Sequence, residues 1–286
     1  MTKTSSPNDA APVPPISAPV GVWIDGDAGG IGKSILGVLT FQAFYLADQP
    51  CQIFELDDQG KLARFLGSDN VTALHGASAS RDGEGEQDTA VLFAPFHEAI
   101  TSMPSTATSV LLEVGGSLTG LANDFAREVD LEEDLDMLGL TLIVFLVIVA
   151  TEESVRQALA QLAEVRRIMP SAQPILVLNE RDGNPLSAAV DLPGDLGQRL
   201  RKAAASAPVI RIPKLREKSR RLYEKLGRTP AEIVTWRADH YAEAVRQTGR
   251  PLLFAKRFVK DVAAWSAVVQ DELTKVLPFL GGEIDE

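Results

Sequence analysis

A glycine-rich segment near the beginning of the chain has the residue types of a phosphate-binding loop. The apolar residues 21–24 (GVWI) precede residues 25–34 (DGDAGGIGKS), and a second apolar stretch follows. Glycines let successive backbone N–H groups converge on one anion, which the start of the next helix also attracts. Lys33 is suited to neutralise the β- and γ-phosphates of a nucleotide, and the Ser34 hydroxyl to ligate Mg²⁺. The segment therefore predicts nucleotide binding between a strand and a helix.

Three other segments place a polar residue at or near the end of an apolar run. Asp57 follows the run QIFEL, Glu113 lies in the run VLLEV, and Asn179 follows the run PILVL. Short apolar runs of this kind predict strands that are buried on both faces, as in a parallel sheet covered by helices. We therefore expect these side chains at the carboxyl ends of sheet strands.

The four segments together resemble the motifs of the ParA/MinD-type P-loop ATPases. Residues 29–34 (GGIGKS) are similar to the G-G-x-G-K-[ST] loop of that family, whereas Asp27 breaks the common G-x-x-x-x-G-K-[ST] pattern. Residues 54–60 (FELDDQG) resemble the D-x-D-P-Q-G motif after the second strand, and residues 111–116 (LLEVGG) resemble the Walker B strand. The order and spacing fit from about residue 20 to about residue 215.

The resemblance implies a role for each matching residue. It assigns catalysis to Asp57 and Lys33, Mg²⁺ to Ser34, Asp57 and Glu113, and the nucleotide to Gly29, Gly30, Ile31, Gly32, Lys33, Ser34, Ile35 and Asn179. The implied cofactors are ATP and Mg²⁺. Other roles stay open. Asp57 could equally cap the next helix, and Glu113 could be a hydrogen-bonded structural acid at the end of a strand. Gly115 and Gly116 suit either a γ-phosphate-sensing switch or a tight turn.

Two positions depart from the family pattern. Ala28 stands where the family has a signature lysine that reaches the partner's nucleotide in an ATP-sandwiched homodimer. Glu113 stands in place of an aspartate and is one methylene longer. A cation that acts near the transferred phosphoryl group stabilises transition-state charge. We therefore expect nucleotide binding to persist while hydrolysis is slow.

The identity of the base is open at one segment. Asn179, Glu180, Arg181 and Asp182 also fit the N-x-x-D pattern that reads guanine, although the GTPase form usually has lysine at the second position. The other three motifs favour ATP. Cys51 is the single cysteine, so the redox relatives that bridge an iron–sulfur cluster are excluded.

The elements that must position these residues alternate between strand and helix. Helical periodicity predicts helices over residues 34–46, 121–137 and 153–168, the last with Thr151 as its N-cap and two glutamates in its first turn. The predicted strands are residues 20–24, 52–56, 110–114, 140–150, 174–178 and 208–212. The alternation predicts an α/β fold with a doubly wound, mostly parallel sheet flanked by helices, and the resemblance implies that this is the P-loop NTPase fold. Residues 78–88 (SASRDGEGEQD) are predicted to be a loop.

Composition bounds the remaining questions. The chain has 286 residues and a formal net charge of −11, so nucleic acid binding requires a local basic patch. Such a cluster comprises Lys214, Arg216, Lys218, Arg220, Arg221, Lys225 and Arg228. The cluster could bind DNA non-specifically. Alternatively, it forms a solvent-exposed helix face whose cations pair with acids such as Glu217 and Glu224. A helix near residues 252–277 is expected to dock on the sheet rather than lie on a membrane.

The expected organisation is a disordered segment at residues 1–20 and one nucleotide-binding domain at residues 21–286. No secretory signal or membrane span is apparent, so we expect a cytoplasmic protein with no membrane partner. The function expected from the resemblance is a nucleotide switch in plasmid or chromosome partition, conjugative mobilisation or intracellular positioning, with an unidentified protein partner. The alternative is a nucleotide-binding regulatory or scaffolding subunit with negligible hydrolysis.

Overall fold

The computed structural model describes residues 19–26, 29–30, 32–74, 89–277 and 279. These residues form a seven-stranded sheet in which every pair of neighbouring strands is parallel, in the order β3-β2-β4-β1-β5-β6-β7. The strands are β1 (Val20–Asp25), β2 (Cys51–Leu56), β3 (Thr72–Ala73), β4 (Ser109–Val114), β5 (Thr141–Ile148), β6 (Gln173–Asn179) and β7 (Val209–Ile212).

Helices connect the strands and cover both faces of the sheet. They are α1 (Lys33–Leu46), α2 (Lys61–Leu66), α3 (Thr89–Thr106), α4 (Thr119–Glu128), α5 (Leu131–Leu138), α6 (Glu152–Ile168), α7 (Pro185–Ala188), α8 (Leu196–Ser206), α9 (Glu217–Leu226), α10 (Pro230–Val234), α11 (Ala238–Thr248) and α12 (Leu252–Leu273). Helices α3 to α8 pack on one face, and α1, α2, α9, α10 and α12 pack on the other. The predicted α/β doubly wound fold is confirmed.

The buried strands form where the sequence has continuous apolar runs. Successive side chains of a strand point to opposite faces, so a sheet covered on both faces requires apolar residues at nearly every position. In β5 the residues from Leu142 to Ile148 are all buried. On one side of the sheet Phe93 and Phe125 stack with ring centroids 4.3 Å apart, whereas Phe44 and Phe258 are fully buried on the other.

The order of the strands reverses beside β1. The chain runs from β1 outward to β2 and β3, returns to β4, and then continues on the other side through β5, β6 and β7. Ligands of open α/β sheets bind outside the carboxyl ends of the strands at such a switch point. The loop between β1 and α1 lies at this position.

Two predicted helices differ from those observed, and several observed helices were not predicted. Residues 121–137 were predicted as one helix, but α4 and α5 are separated at Asp130, which has a left-handed backbone conformation with φ 52°. The prediction did not include α3, which contains Pro95 and Pro104. The final helix docks on α1 and β7, as expected, but ends at Leu273.

Three further predictions concern the N-cap of α6, the segments outside the sheet and helices, and membrane-spanning helices. Thr151 caps α6 as predicted, since its side chain accepts a hydrogen bond from the Ser154 backbone. The predicted loop at residues 78–88 lies outside the described residues, as do residues 1–18 of the predicted disordered segment. Among the helices that the structure describes, none has the length and apolar character needed to cross a membrane.

Candidate nucleotide-binding site

The glycine-rich loop joins the end of β1 to the start of α1. Gly30 and Gly32 have positive φ values of 73° and 101°, which residues with a Cβ atom rarely adopt. A Cβ at Gly32 would also collide with the amide nitrogen of Asn179. Glycine is therefore required at position 32 for both backbone and packing reasons. Ile31, Asp27 and Ala28 lie outside the described residues, so their predicted roles are not placed.

Lys33 is the first residue of α1 and its side chain is buried. The ammonium Nζ donates to the carbonyl oxygen of Gly26 across 2.5 Å, which folds the side chain back over the loop. Burial lowers the pKa of Lys33, while the nearby carboxylates of Glu113, Asp25 and Asp57 act to raise it. Burial is the larger influence, so the pKa of Lys33 lies below its ordinary value.

Ser34 and Glu113 meet beneath the loop although they are 79 positions apart in the sequence. Ser34 Oγ donates to Glu113 Oε1 across 2.6 Å. Glu113 Oε2 is buried and has no hydrogen-bond partner among the described residues. Burial is the largest influence that raises the pKa of Glu113, to about 8. A hydroxyl beside a carboxylate with a spare oxygen suits Mg²⁺, so these residues fit the predicted metal role.

Mg²⁺ held with a nucleotide needs few protein ligands, because water and phosphate oxygens supply the others. Among the described residues there is no group of three or more His, Cys, Asp or Glu side chains able to hold an ion. The fit therefore depends on Ser34 and Glu113 together with a phosphate.

Asp57 follows β2 and faces the same space as Glu113. A Cβ added to Gly115 would lie 3.2 Å from Asp57 Oδ1, and the Gly115 backbone N–H donates to Leu56 O across 2.6 Å. Gly115 therefore permits the close approach of the segments that follow β2 and β4. No side-chain hydrogen bond from Asp57 caps α2, since the first turn of α2 is bound by Glu55 instead.

A cavity of about 500 Å³ opens beside the loop. Its lining includes most of the predicted site: Gly29, Gly30, Gly32, Lys33, Ser34, Ile35, Asp57, Gln59, Glu113, Gly115 and Gly116. Lys61, Arg64, Phe65, Ser117 and Glu224 also line it and were not predicted. The sequence motifs therefore converge on one concave site. The additional residues come from elements whose positions depend on tertiary packing.

Asn179 lies outside this cavity, in a neighbouring space of about 60 Å³ that Tyr223 and Trp265 also line. The Arg181 guanidinium, which the sequence motifs did not single out, donates to the carbonyl oxygen of Gly30. Arg181 Nε also donates to Asp182 Oδ2 across 2.8 Å. The backbone of the loop is thereby connected to the segment that follows β6.

Asp25 forms a buried polar network behind the loop. Its carboxylate accepts from Thr119 Oγ1 and Gln161 Nε2, each across 2.7 Å, and from the Gly26 backbone across 2.6 Å. Gln161 and Asn123 exchange two side-chain hydrogen bonds. The network links the end of β1 to α4 and α6, and sequence patterns did not indicate it.

The basic cluster at residues 214–228 surrounds α9 and is partly neutralised. Four arginines pair with acids: Arg216 with Asp261, Arg220 with Glu217 and Glu224, Arg221 with Glu217, and Arg228 with Glu232. The lysines of the cluster form no ion pair with a described acid. The solvated, paired face that the sequence allowed is thus present for the arginines.

Protein-family models give no match to this chain, and the curated proteins compared with it give none either. The resemblance to ParA/MinD-type ATPases therefore depends on the motif residues alone.

Proposed function

We propose that this protein is a Mg²⁺-dependent, ATP-binding switch of the ParA/MinD type, acting in partition, conjugative mobilisation or intracellular positioning. The observation that supports nucleotide binding most directly is the Ser34–Glu113 contact beneath a glycine-rich loop that also carries a buried lysine. The cellular role is proposed from the resemblance of the motifs alone.

Each residue has a physical task in this proposal. Loop backbone N–H groups and Lys33 bind the phosphates, because fixed donors and a cation stabilise anionic oxygens in a partly buried site. Ser34 and Glu113 would hold Mg²⁺, which when bound neutralises phosphate charge. Asp57 lines the same cavity, where it orients water for attack on the terminal phosphorus atom.

ATP is the proposed nucleotide rather than GTP. Guanine recognition through the N-x-x-D pattern requires a free aspartate that accepts from two ring donors. Asp182 is held instead by Arg181, whose guanidinium also contacts the loop at Gly30. We therefore expect ATP to bind more tightly than GTP.

A regulatory subunit with negligible hydrolysis is the second candidate. Two observations favour it: the sequence has alanine at position 28, and burial favours the protonated form of Glu113 in the absence of a cation. Turnover of ATP with and without DNA separates the two candidates. A rate at the background level under both conditions favours the regulatory subunit.

Replacement of Lys33 by alanine tests nucleotide binding. Lys33→Ala removes a charge-assisted contact to phosphate, for which we expect at least about a tenfold loss of Mg·ATP affinity. Isothermal titration calorimetry measures the loss. Lys202→Ala, which removes an exposed lysine on α8, is the matched control and should bind as wild type does. Unchanged affinity in Lys33→Ala would contradict the phosphate-loop assignment.

A further inference from the structure

Helix α2 forms part of the cavity wall, and contacts with three other elements fix its position. Leu62 packs against α1, where a Cβ on Gly37 would lie only 3.1 Å from it. Phe65 stacks on Tyr223 of α9 with ring centroids 5.5 Å apart. The buried Glu55 side chain of β2 binds the start of the helix. A short helix held from three sides presents its side chains in a defined direction.

Glu55 occupies backbone N–H groups of α2 that would otherwise be available to a ligand. Its two carboxylate oxygens accept from the Leu62 and Ala63 backbones across 2.7 and 3.0 Å. These backbone donors at the start of the helix are consequently occupied. What α2 contributes to the cavity lining is the side chains of Lys61, Arg64 and Phe65.

Lys61 and Arg64 bring two positive charges to the cavity without acidic partners. Neither forms an ion pair with an acid in the part of the chain that the structure describes. Glu224, an acid on the same wall, is paired with Arg220. Burial lowers the pKa of Lys33, and the charge of Lys61 lowers it further, so the two ammonium groups are within electrostatic reach of each other. Like charges gathered in a cavity favour an anion between them.

We infer that Lys61 and Arg64 contact the terminal phosphate of a bound nucleoside triphosphate and thereby select triphosphate over diphosphate. The inference deepens the proposed function and depends on it, because Lys33 and the loop must first bind the inner phosphates. Two side chains from α2 then supply, within one chain, further positive charge to the cavity that the loop also lines. ADP lacks the phosphate group that these cations contact, so their contribution is specific to ATP.

The ratio of the dissociation constants of Mg·ADP and Mg·ATP tests the inference without reference to turnover. In the double variant Lys61→Ala/Arg64→Ala we expect this ratio to fall by about tenfold, mainly through weaker ATP binding. Lys61→Arg/Arg64→Lys keeps both charges and should retain most of the ratio. Lys202→Ala is the control for loss of a surface cation, and thermal unfolding by circular dichroism checks that each variant is folded.

The outcomes separate this inference from the proposed function. If wild type binds neither nucleotide, the nucleotide site itself is wrong and the inference falls with it. If wild type binds both and Lys33→Ala abolishes binding, but the double alanine variant keeps the wild-type ratio, only the role of α2 is overturned. An equal loss of affinity for ATP and ADP in the double variant also overturns it.

Discussion

Glu113 is a buried acid with one satisfied and one unsatisfied carboxylate oxygen among the described residues. Burial raises its pKa to about 8, although the hydrogen bond from Ser34 acts in the opposite direction. Without a cation the side chain is therefore largely protonated near neutral pH, whereas a divalent ion would favour the carboxylate. The charge of Glu113 therefore depends on whether a divalent ion is bound in the cavity.

Glu113→Gln should change how stability depends on pH in the presence of a chelator. The folded protein keeps a proton on Glu113 that the unfolded chain releases above the ordinary pKa of 4.5. The contribution of this residue to stability therefore falls as the pH rises from 4.5 to about 8. Glutamine does not titrate, so the melting temperature of the variant should rise relative to that of wild type as the pH increases across this interval. Calorimetry at several pH values measures the difference, and parallel profiles would contradict the expectation.

Sequence reasoning identified cavity-lining residues that belong to contiguous motifs and missed nearby residues whose positions depend on tertiary contacts. Lys33, Ser34 and Glu113 were identified because a phosphate loop and a strand-end acid have recognisable local patterns. Lys61 begins a helix whose next two backbone N–H groups bind the Glu55 carboxylate of β2, and Arg181 reaches a loop 151 positions away. No local pattern encodes such contacts.

At the scale of elements, apolar runs predicted the strands well because a doubly covered sheet leaves them no polar face. The interruption between α4 and α5 was missed, since one residue, Asp130, adopts a left-handed conformation within an otherwise helical pattern. Helix α3 was not predicted, and it contains Pro95 and Pro104, which are unfavourable in a helix interior. Both errors leave the candidate site intact, because its residues follow β1, β2 and β4.

The network around Asp25 makes a prediction about how β1, α4 and α6 are connected. Gln161→Met removes a donor to a buried carboxylate and the partner of Asn123, for which we expect a loss of about 1–3 kcal/mol in the free energy of unfolding. Gln157→Met, on an adjacent turn of α6, removes a contact to Glu153 and a buried amide oxygen that has no partner among the described residues, so we expect a smaller loss. Urea denaturation compares the two, and equal losses would show that the network contributes nothing specific.

At the scale of the whole molecule, charge is the property that bears on a nucleic acid partner. A net charge of −11 repels phosphate, and ion pairs already neutralise four arginines of the basic cluster. The positive surface that remains is a concave region around α9 to which Lys218, Lys225 and Arg250 contribute. Arg250 lies 4.5 Å from the ring centre of Phe254, which gives this surface its aromatic contact. Non-specific DNA contact, if it belongs to the function, should use this surface.

The DNA prediction is therefore best tested at the lysines rather than at the paired arginines. We expect weak binding of a random-sequence duplex at low salt and a loss of about 10³-fold or less as salt rises from about 50 to 200 mM, because few phosphates are neutralised. Lys218→Glu/Lys225→Glu/Arg250→Glu should abolish the low-salt binding that fluorescence anisotropy detects. Arg156→Glu/Arg166→Glu/Arg167→Glu on α6 changes the net charge by the same amount, and this variant should retain most of the low-salt DNA binding. Absence of binding by wild type at low salt, or an equal loss in the α6 control, would remove DNA from the partners of this protein.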